Sequence, residues 1–157
     1  MALSVRAGTE ADFEAAIVLF ERSNAARHTD GWPAREQEIR KKREILAAPD
    51  SWLLLGFEGP NMLAMAICQP YRPELDAPPM AGACFLKWFS VAPERWSQGI
   101  GGELLDAFLD DASQRGYQHA FLFTSADNDR AQRLYRSRGW TLTGRVAAQS
   151  REWTVSL

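Results

Sequence analysis

A chain of 157 residues, 46% hydrophobic and 24% charged, suits one globular domain with a real core, and its balance excludes a disordered chain. A formal net charge of −2 and a pI near 5.7 speak against the basic field that general nucleic-acid binding needs, so no nucleic-acid partner is expected. No apolar run approaches the roughly 18 residues of a membrane helix. The opening Met1-Ala2-Leu3-Ser4-Val5-Arg6 also lacks a leader's apolar core, so a cytoplasmic protein with no membrane partner is expected.

Leu3 to Ala7 reads as a first strand. Thr9, three residues before Asp12, resembles a capping box ahead of a helix whose apolar stripe is Phe13, Ala16, Ile17 and Phe20, running to about Ala26. His28-Thr29-Asp30-Gly31-Trp32 reads as a loop. Pro33 fits the first position of a second helix that continues to about Ala47, with Arg40-Lys41-Lys42-Arg43 as its solvated face. Ser51–Phe57 and Met62–Gln69, joined by Glu58-Gly59-Pro60-Asn61, read as a hairpin. The stretch Pro70 to Pro79 holds four prolines and is a loop. Ala83 to Val91 is a strong strand.

From Gly99 the apolar period becomes helical (Ile100, Leu104, Leu105, Phe108, Ala112), with Gly116 as the stop. A strand over Ala120–Thr124 follows, then a short helix from Asn128 to about Arg138 ended by Gly139. Strands over Trp140–Arg145 and Arg151–Val155 close the chain. With no internal repeat or dividing linker, residues 1–157 are expected to form a single domain in the order βααβββαβαββ, a mixed α/β layer. Cys68 and Cys84 lie in apolar strands without metal-ligand spacing and read as two buried, reduced thiols; no metal is expected.

The chemistry concentrates in Phe89-Ser90-Val91-Ala92-Pro93-Glu94-Arg95-Trp96-Ser97-Gln98-Gly99-Ile100-Gly101-Gly102. There a strand ends, turns, and opens a helix with three glycines in four positions. Glycines let a phosphate come close to the backbone, where the free N–H groups of a first helical turn and the helix dipole meet it. The alternative is that these glycines only let the helix lie tightly on the sheet. No Lys-Ser or Lys-Thr follows, as a nucleotide P-loop requires, so a nucleotide-dependent kinase is disfavoured. Twenty-nine residues after Gly99 (128 − 99) comes Asn128, then Ala131, Tyr135 and Gly139-Trp140.

The spaced pair of motifs resembles the GNAT acyltransferase family, closely over about Ala83 to Arg145 and elsewhere in the order of elements. The resemblance implies an N-acetyltransferase using acetyl-coenzyme A. Phe89, Ser90 and Val91 would bond the pantetheine arm where the fourth strand leaves the fifth. Ser97, Gln98, Gly99, Ile100, Gly101 and Gly102 would hold the pyrophosphate, and Asn128 would fix the pantetheine arm. Tyr135, two helical turns beyond Asn128, would protonate the leaving thiolate. Asn128 is also a good helix cap, and Tyr135 also suits a core aromatic.

Two positions depart from the family pattern. Trp96 stands where an Arg or Gln usually precedes the first glycine, so either the backbone cradle manages without that side chain or Arg95 beside it substitutes. Phe123 stands where some relatives place a glutamate base. The remaining base candidates are Asp127, His28, Asp30 and Glu21, with water as the alternative. For the acceptor, His28, Asp30, Trp32 and Tyr71 are the candidate contacts, Trp153 is a further candidate, and Trp88 is read as core. A small-molecule amine or amino-acid-like acceptor is expected, with peptide N-termini next. The competing class is a domain that holds acyl-CoA without turnover. Trp153 and the final strand are candidates for a homodimer contact.

Overall fold

Alternating and helical apolar periods become a mixed sheet with four helices. The computed structural model describes residues 3–27 and 36–157, with backbone alone for residues 36–38. The elements are β1 (Ser4–Ala7), α1 (Phe13–Arg27), α2 (Glu36–Ala47), β2 (Trp52–Glu58), β3 (Asn61–Pro70), β4 (Ala83–Val91), α3 (Ile100–Gln114), β5 (His119–Ser125), α4 (Asp129–Ser137), β6 (Thr141–Ala147) and β7 (Ser150–Ser156). The order is the expected βααβββαβαββ. One seven-stranded sheet runs β1-β2-β3-β4-β5-β7-β6, with β4 and β5 parallel. The expected loop from His28 to Trp32 and the helix start at Pro33 lie outside the described residues.

The chain gathers into two compact units, Met1–Cys68 with Trp88–Phe108, and Gln69–Lys87 with Leu109–Leu157. In the first, β2 and β3 pair antiparallel from Trp52↔Cys68 to Glu58↔Asn61, closing on Gly59-Pro60 with Gly59 at φ +57. Leu53, Leu54 and Leu55 are all buried in succession, as are Ala64, Met65, Ala66 and Ile67. Strands covered on both faces read as continuous apolar runs for this reason. Ahead of α1, a 3-10 turn over Glu10–Asp12 takes the place of the first helical turn. The Asp12 carboxylate accepts from the Thr9 N–H at 2.8 Å and from the Arg6 guanidinium at 2.9 and 3.0 Å. The Arg6 hydrogen bonds, then the Thr9 amide, hold the Asp12 carboxyl well below the usual carboxylate range.

The expected solvated face of α2 needs correction at Lys42. Its side chain is buried, paired with Glu21 of α1, and its ammonium lies 5.5 Å from the centre of the Phe20 ring. Lys42 stands four residues before buried Leu46 and therefore shares its inward face, while Arg40, Lys41 and Arg43 are exposed. Phe20 in turn lies 5.0 Å from Trp88, which fits the reading of Trp88 as a packing residue.

In the second unit, β5 pairs antiparallel with β7 along its whole length, from His119↔Ser156 to Ser125↔Ser150, and β6 lies outside β7 as an exposed edge. Leu122, Tyr135, Trp140 and Trp153 form its interior. Trp153 is therefore corrected as a subunit contact or acceptor-pocket wall. It is 1% exposed, with its ring 6.3 Å from Tyr135. Cys68 and Cys84 are buried thiols outside any disulfide, and burial pushes the Cys84 thiol up to about 12. No helix among the described residues is long and apolar enough to cross a membrane.

Candidate active site

In the first unit β4 ends in a turn held almost wholly by itself. The Ala92 N–H donates to the Leu63 carbonyl at 2.8 Å, and the Arg95 N–H returns to the Ala92 carbonyl at 2.9 Å. Trp96, standing where the family prefers a polar residue, donates its indole N–H to the Val91 carbonyl at 2.9 Å and ties the turn to the strand end. Arg95 does not supply the charge in its stead. Its guanidinium donates to Glu58 at 2.8 Å and to Gln98 at 2.7 Å, while Gln98 donates to the Glu94 carbonyl at 3.4 Å. Arg95 and Gln98 help line a cavity of about 210 Å³ with Glu58 and Glu103, so what the turn offers an anion is backbone.

That backbone is shaped for the task. Ser97 at φ 61 and Gly99 at φ 85 flank Gln98, an alternation that points successive N–H groups into one concavity. The first bond inside α3 is from the Glu103 N–H to the Gly99 carbonyl at 3.1 Å. The N–H groups of Gly99, Ile100, Gly101 and Gly102 find no acceptor among the described residues. A Cβ placed on Gly99 meets nothing within 4 Å. Four donors and the positive end of a 15-residue helix are thus presented together to an anion. Of the strand residues expected to meet pantetheine, Phe89 is half-buried and Ser90 and Val91 are buried.

In the second unit, the β4–β5 ladder runs over Ala83–Phe85 against His119–Phe121. Asn128 caps α4, its Oδ1 accepting the Ala131 N–H at 3.3 Å. Buried Gln132 donates to the Ala126 carbonyl at 2.9 Å and anchors the loop before the cap. Tyr135 is buried, its ring 5.8 Å from Trp140 and 6.3 Å from Trp153. The capping of Asn128 and the packing of Tyr135 are thus both present, whatever else these residues do.

A third cluster, in the same unit, was half legible. Tyr71, expected against the acceptor, is buried and stacks on Phe121 at 4.1 Å and 11°. Its hydroxyl donates to the carboxylate of Glu152, a residue of β7 that the sequence reading did not single out. Thr143 donates to the other oxygen of Glu152 at 2.9 Å, and Arg145 donates to the Tyr71 oxygen at 3.0 Å. Burial first, and the neighbouring Glu152 second, push the Tyr71 phenol up to about 12, so it stays protonated and donating at neutral pH. Glu152 stands in register with Phe123, the strand position that offered no carboxylate. Antiparallel register was the signal that could have found it. It was hard to use, because both Glu152 and Trp153 are buried and alternation does not tell the faces apart. Of the four base candidates, Glu21 is committed to Lys42, Asp127 accepts from the Ser125 hydroxyl, and His28 and Asp30 lie outside the described residues, as does Trp32.

A strand running into a glycine-opened helix with free amides, within this order of elements, defines an acyl-coenzyme A acyltransferase fold. The sequence model described as the acetyltransferase (GNAT) family matches residues 13–140, and the chain belongs to that family. Solved structures agree on the fold. The PaiA N-acetyltransferase of Thermoplasma acidophilum in complex with coenzyme A has a TM-score of 0.80 at 15% identity, with all of both chains covered. The ribosomal-protein-S18-alanine N-acetyltransferase of Escherichia coli has a TM-score of 0.77 at 18% identity, covering 99% of this chain and 94% of that one. A GCN5-related N-acetyltransferase of Kribbella flavida has a TM-score of 0.78 at 21% identity, covering 99% and 98%. Among curated proteins no sequence matches this chain.

Proposed function

We propose that the protein is a cytoplasmic enzyme that moves the acetyl group of acetyl-coenzyme A to the primary amine of a small-molecule or amino-acid-like acceptor, by direct attack in a ternary complex. The observation that carries the cofactor half is the row of amides from Gly99 to Gly102 without an acceptor among the described residues. A diphosphate carries the oxygens and the charge that such a row lacks. Phe89, Ser90 and Val91 bond the pantetheine arm and Asn128 steadies it. Tyr135 gives its phenolic proton to the departing thiolate. A thiol near pKa 8.5 is a fair leaving group, so this help is useful, and placing the two reactants together supplies most of the acceleration. The near-neutral balance of the chain favours a small acceptor over an extended charged polymer.

The experiment is thiol release from acetyl-coenzyme A with a panel of small amines, amino acids and short peptides with free N-termini. Peptides belong in the panel because one structural neighbour is a ribosomal-protein-alanine acetyltransferase. Release with small amines supports the proposal. Turnover of peptides alone refutes the acceptor class, and binding without release makes the domain an acyl-CoA sensor.

A further inference from the structure

A buried carboxylate on β7 stands out among the aromatic residues around it. Glu152 is 3% exposed, on a wall formed by Tyr71, Phe85, Phe121 and Phe123. Taking a carboxylate out of water is expensive unless it is well paired. Here the pairing is incomplete. An ionised carboxylate offers about four acceptor positions, and among the described residues Tyr71 and Thr143 donate to two. The cation beside it, Arg145, stands 3.9 Å from Oε2, beyond hydrogen-bond reach, and spends its donors on the Tyr71 oxygen and the Pro73 carbonyl. The carboxylate thus has a cation nearby and only two of its acceptor positions filled by described residues. Arg145 is 45% exposed in its side chain and so marks the side from which solvent reaches the cluster.

We infer that Glu152 is the group that receives the acceptor amine and takes its proton, with Tyr71 and Thr143 fixing the carboxylate. The inference rests on the acyl-transfer reading above and names the base that reading lacks. An acceptor arrives as an ammonium. One N–H bond breaks, the pair stays on nitrogen, and the proton forms an O–H bond on Glu152. The freed pair attacks the thioester carbonyl carbon, and the C–S bond breaks with its electrons going to sulfur. As the amide forms, the second amine proton passes to water, Tyr135 gives its proton to the thiolate, and Tyr135 regains one from water. Glu152 afterwards returns its proton to water. The aromatic wall excludes solvent and offers π faces to a cation. Among the described residues, the titratable and charged groups in contact with Glu152 are Tyr71 from the loop after β3 and Arg145 from β6. From β5 its register partner is Phe123, and its own strand adds none on that face.

The test is steady-state kinetics of Glu152→Gln against the full chain, with an alkylamine acceptor and with a weakly basic amine that is unprotonated at the assay pH. With the alkylamine, kcat is expected to fall about 100-fold or more at pH 7 and to recover as the pH rises through the amine's own ionisation. The weakly basic acceptor is expected to lose less than tenfold. The coenzyme A dissociation constant is expected to stay within about twofold, as a base on the acceptor side requires. A structural pin would instead lower both rates together and leave the pH profile unchanged, and that result overturns the inference. If the glutamine variant does not fold, Tyr71→Phe carries the test. It keeps the carboxylate but removes one of the two donors that fix it, so kcat with the alkylamine is expected to fall at least about tenfold and kcat with the weakly basic acceptor by less; equal losses with the two acceptors overturn the inference. If the unaltered chain transfers no acetyl group to any amine, the acyl-transfer reading fails and this inference with it. If it does transfer and Glu152→Gln retains the full rate, only this inference falls.

Discussion

Gly99 and Gly116 stand at opposite ends of α3, a helix about 22 Å long. They share a backbone conformation, φ 85 and φ 92, and a Cβ on either meets nothing within 4 Å. Replacing each by alanine therefore imposes the same penalty on folding, about 1–2 kcal/mol for a side chain in the left-handed region. In a chain of this size that lowers Tm by about 2–8 °C. Only Gly99 stands in the row of unbonded amides, so only there can an added methyl disturb what they hold. If it displaces one diphosphate oxygen from one amide, a charge-assisted hydrogen bond worth about 1.5–3 kcal/mol is lost. The coenzyme A Kd should then rise about 10- to 100-fold. Differential scanning fluorimetry and isothermal titration of both variants read the two effects separately. Equal stability losses with weakened binding for Gly99→Ala alone support the reasoning. Equal Kd values for the two variants refute it.

Further outcomes follow from the same structure. Tyr135→Phe should cost about 10- to 100-fold in kcat as general-acid help is lost, with Tm nearly unchanged because the ring still fills its place beside Trp140 and Trp153; an unchanged kcat denies it the acid role. Asp12→Asn should cost about 1 kcal/mol at neutral pH in urea unfolding. Because the Asp12 carboxyl is held low in the folded state, its stabilisation is complete above the unfolded carboxylate range and is lost as pH falls below about 4. The gap between wild type and variant should close there, and a gap that persists in acid contradicts the assignment. Lys42→Ala takes the buried Lys42 ammonium from the half-buried Glu21 carboxylate and should cost about 1–3 kcal/mol in the same assay; a loss below about 0.5 kcal/mol would mean that the pair is solvated. Cys84, its thiol pushed up to about 12 by burial, should resist a thiol reagent at pH 8 in the native protein and react once urea unfolds it.

The elements were legible wherever apolar period and punctuation agreed. Gly116 and Gly139 both adopt positive φ after helices whose ends they were expected to mark, and Asn128 caps α4 as its residue type suggests. The helix start at Gly99 was legible too, although its three glycines suited close packing on the sheet as well as an anion. Lys42 was misread because a run of four cations hides which one the helix turns inward; only the partner helix, with Glu21 on it, decides. Trp96 was read as a missing polar contact, whereas its indole closes the turn by a bond to Val91 that no spacing rule encodes. Glu152 was missed because its neighbours come from the loop after β3 and from β6, joined only by sheet register. Local pattern shows elements and the backbone sites they build. A side chain whose partners arrive from remote segments becomes visible only once those segments are placed.

The account turns on a diphosphate held by backbone amides, and comparing coenzyme A with pantetheine tests it most directly, since pantetheine keeps the arm and thiol but lacks the phosphates. Titration calorimetry should give pantetheine a Kd at least about 100-fold higher than that of coenzyme A, the equivalent of about 2.7 kcal/mol. Equal affinity for the two, or no heat with either, would contradict the account.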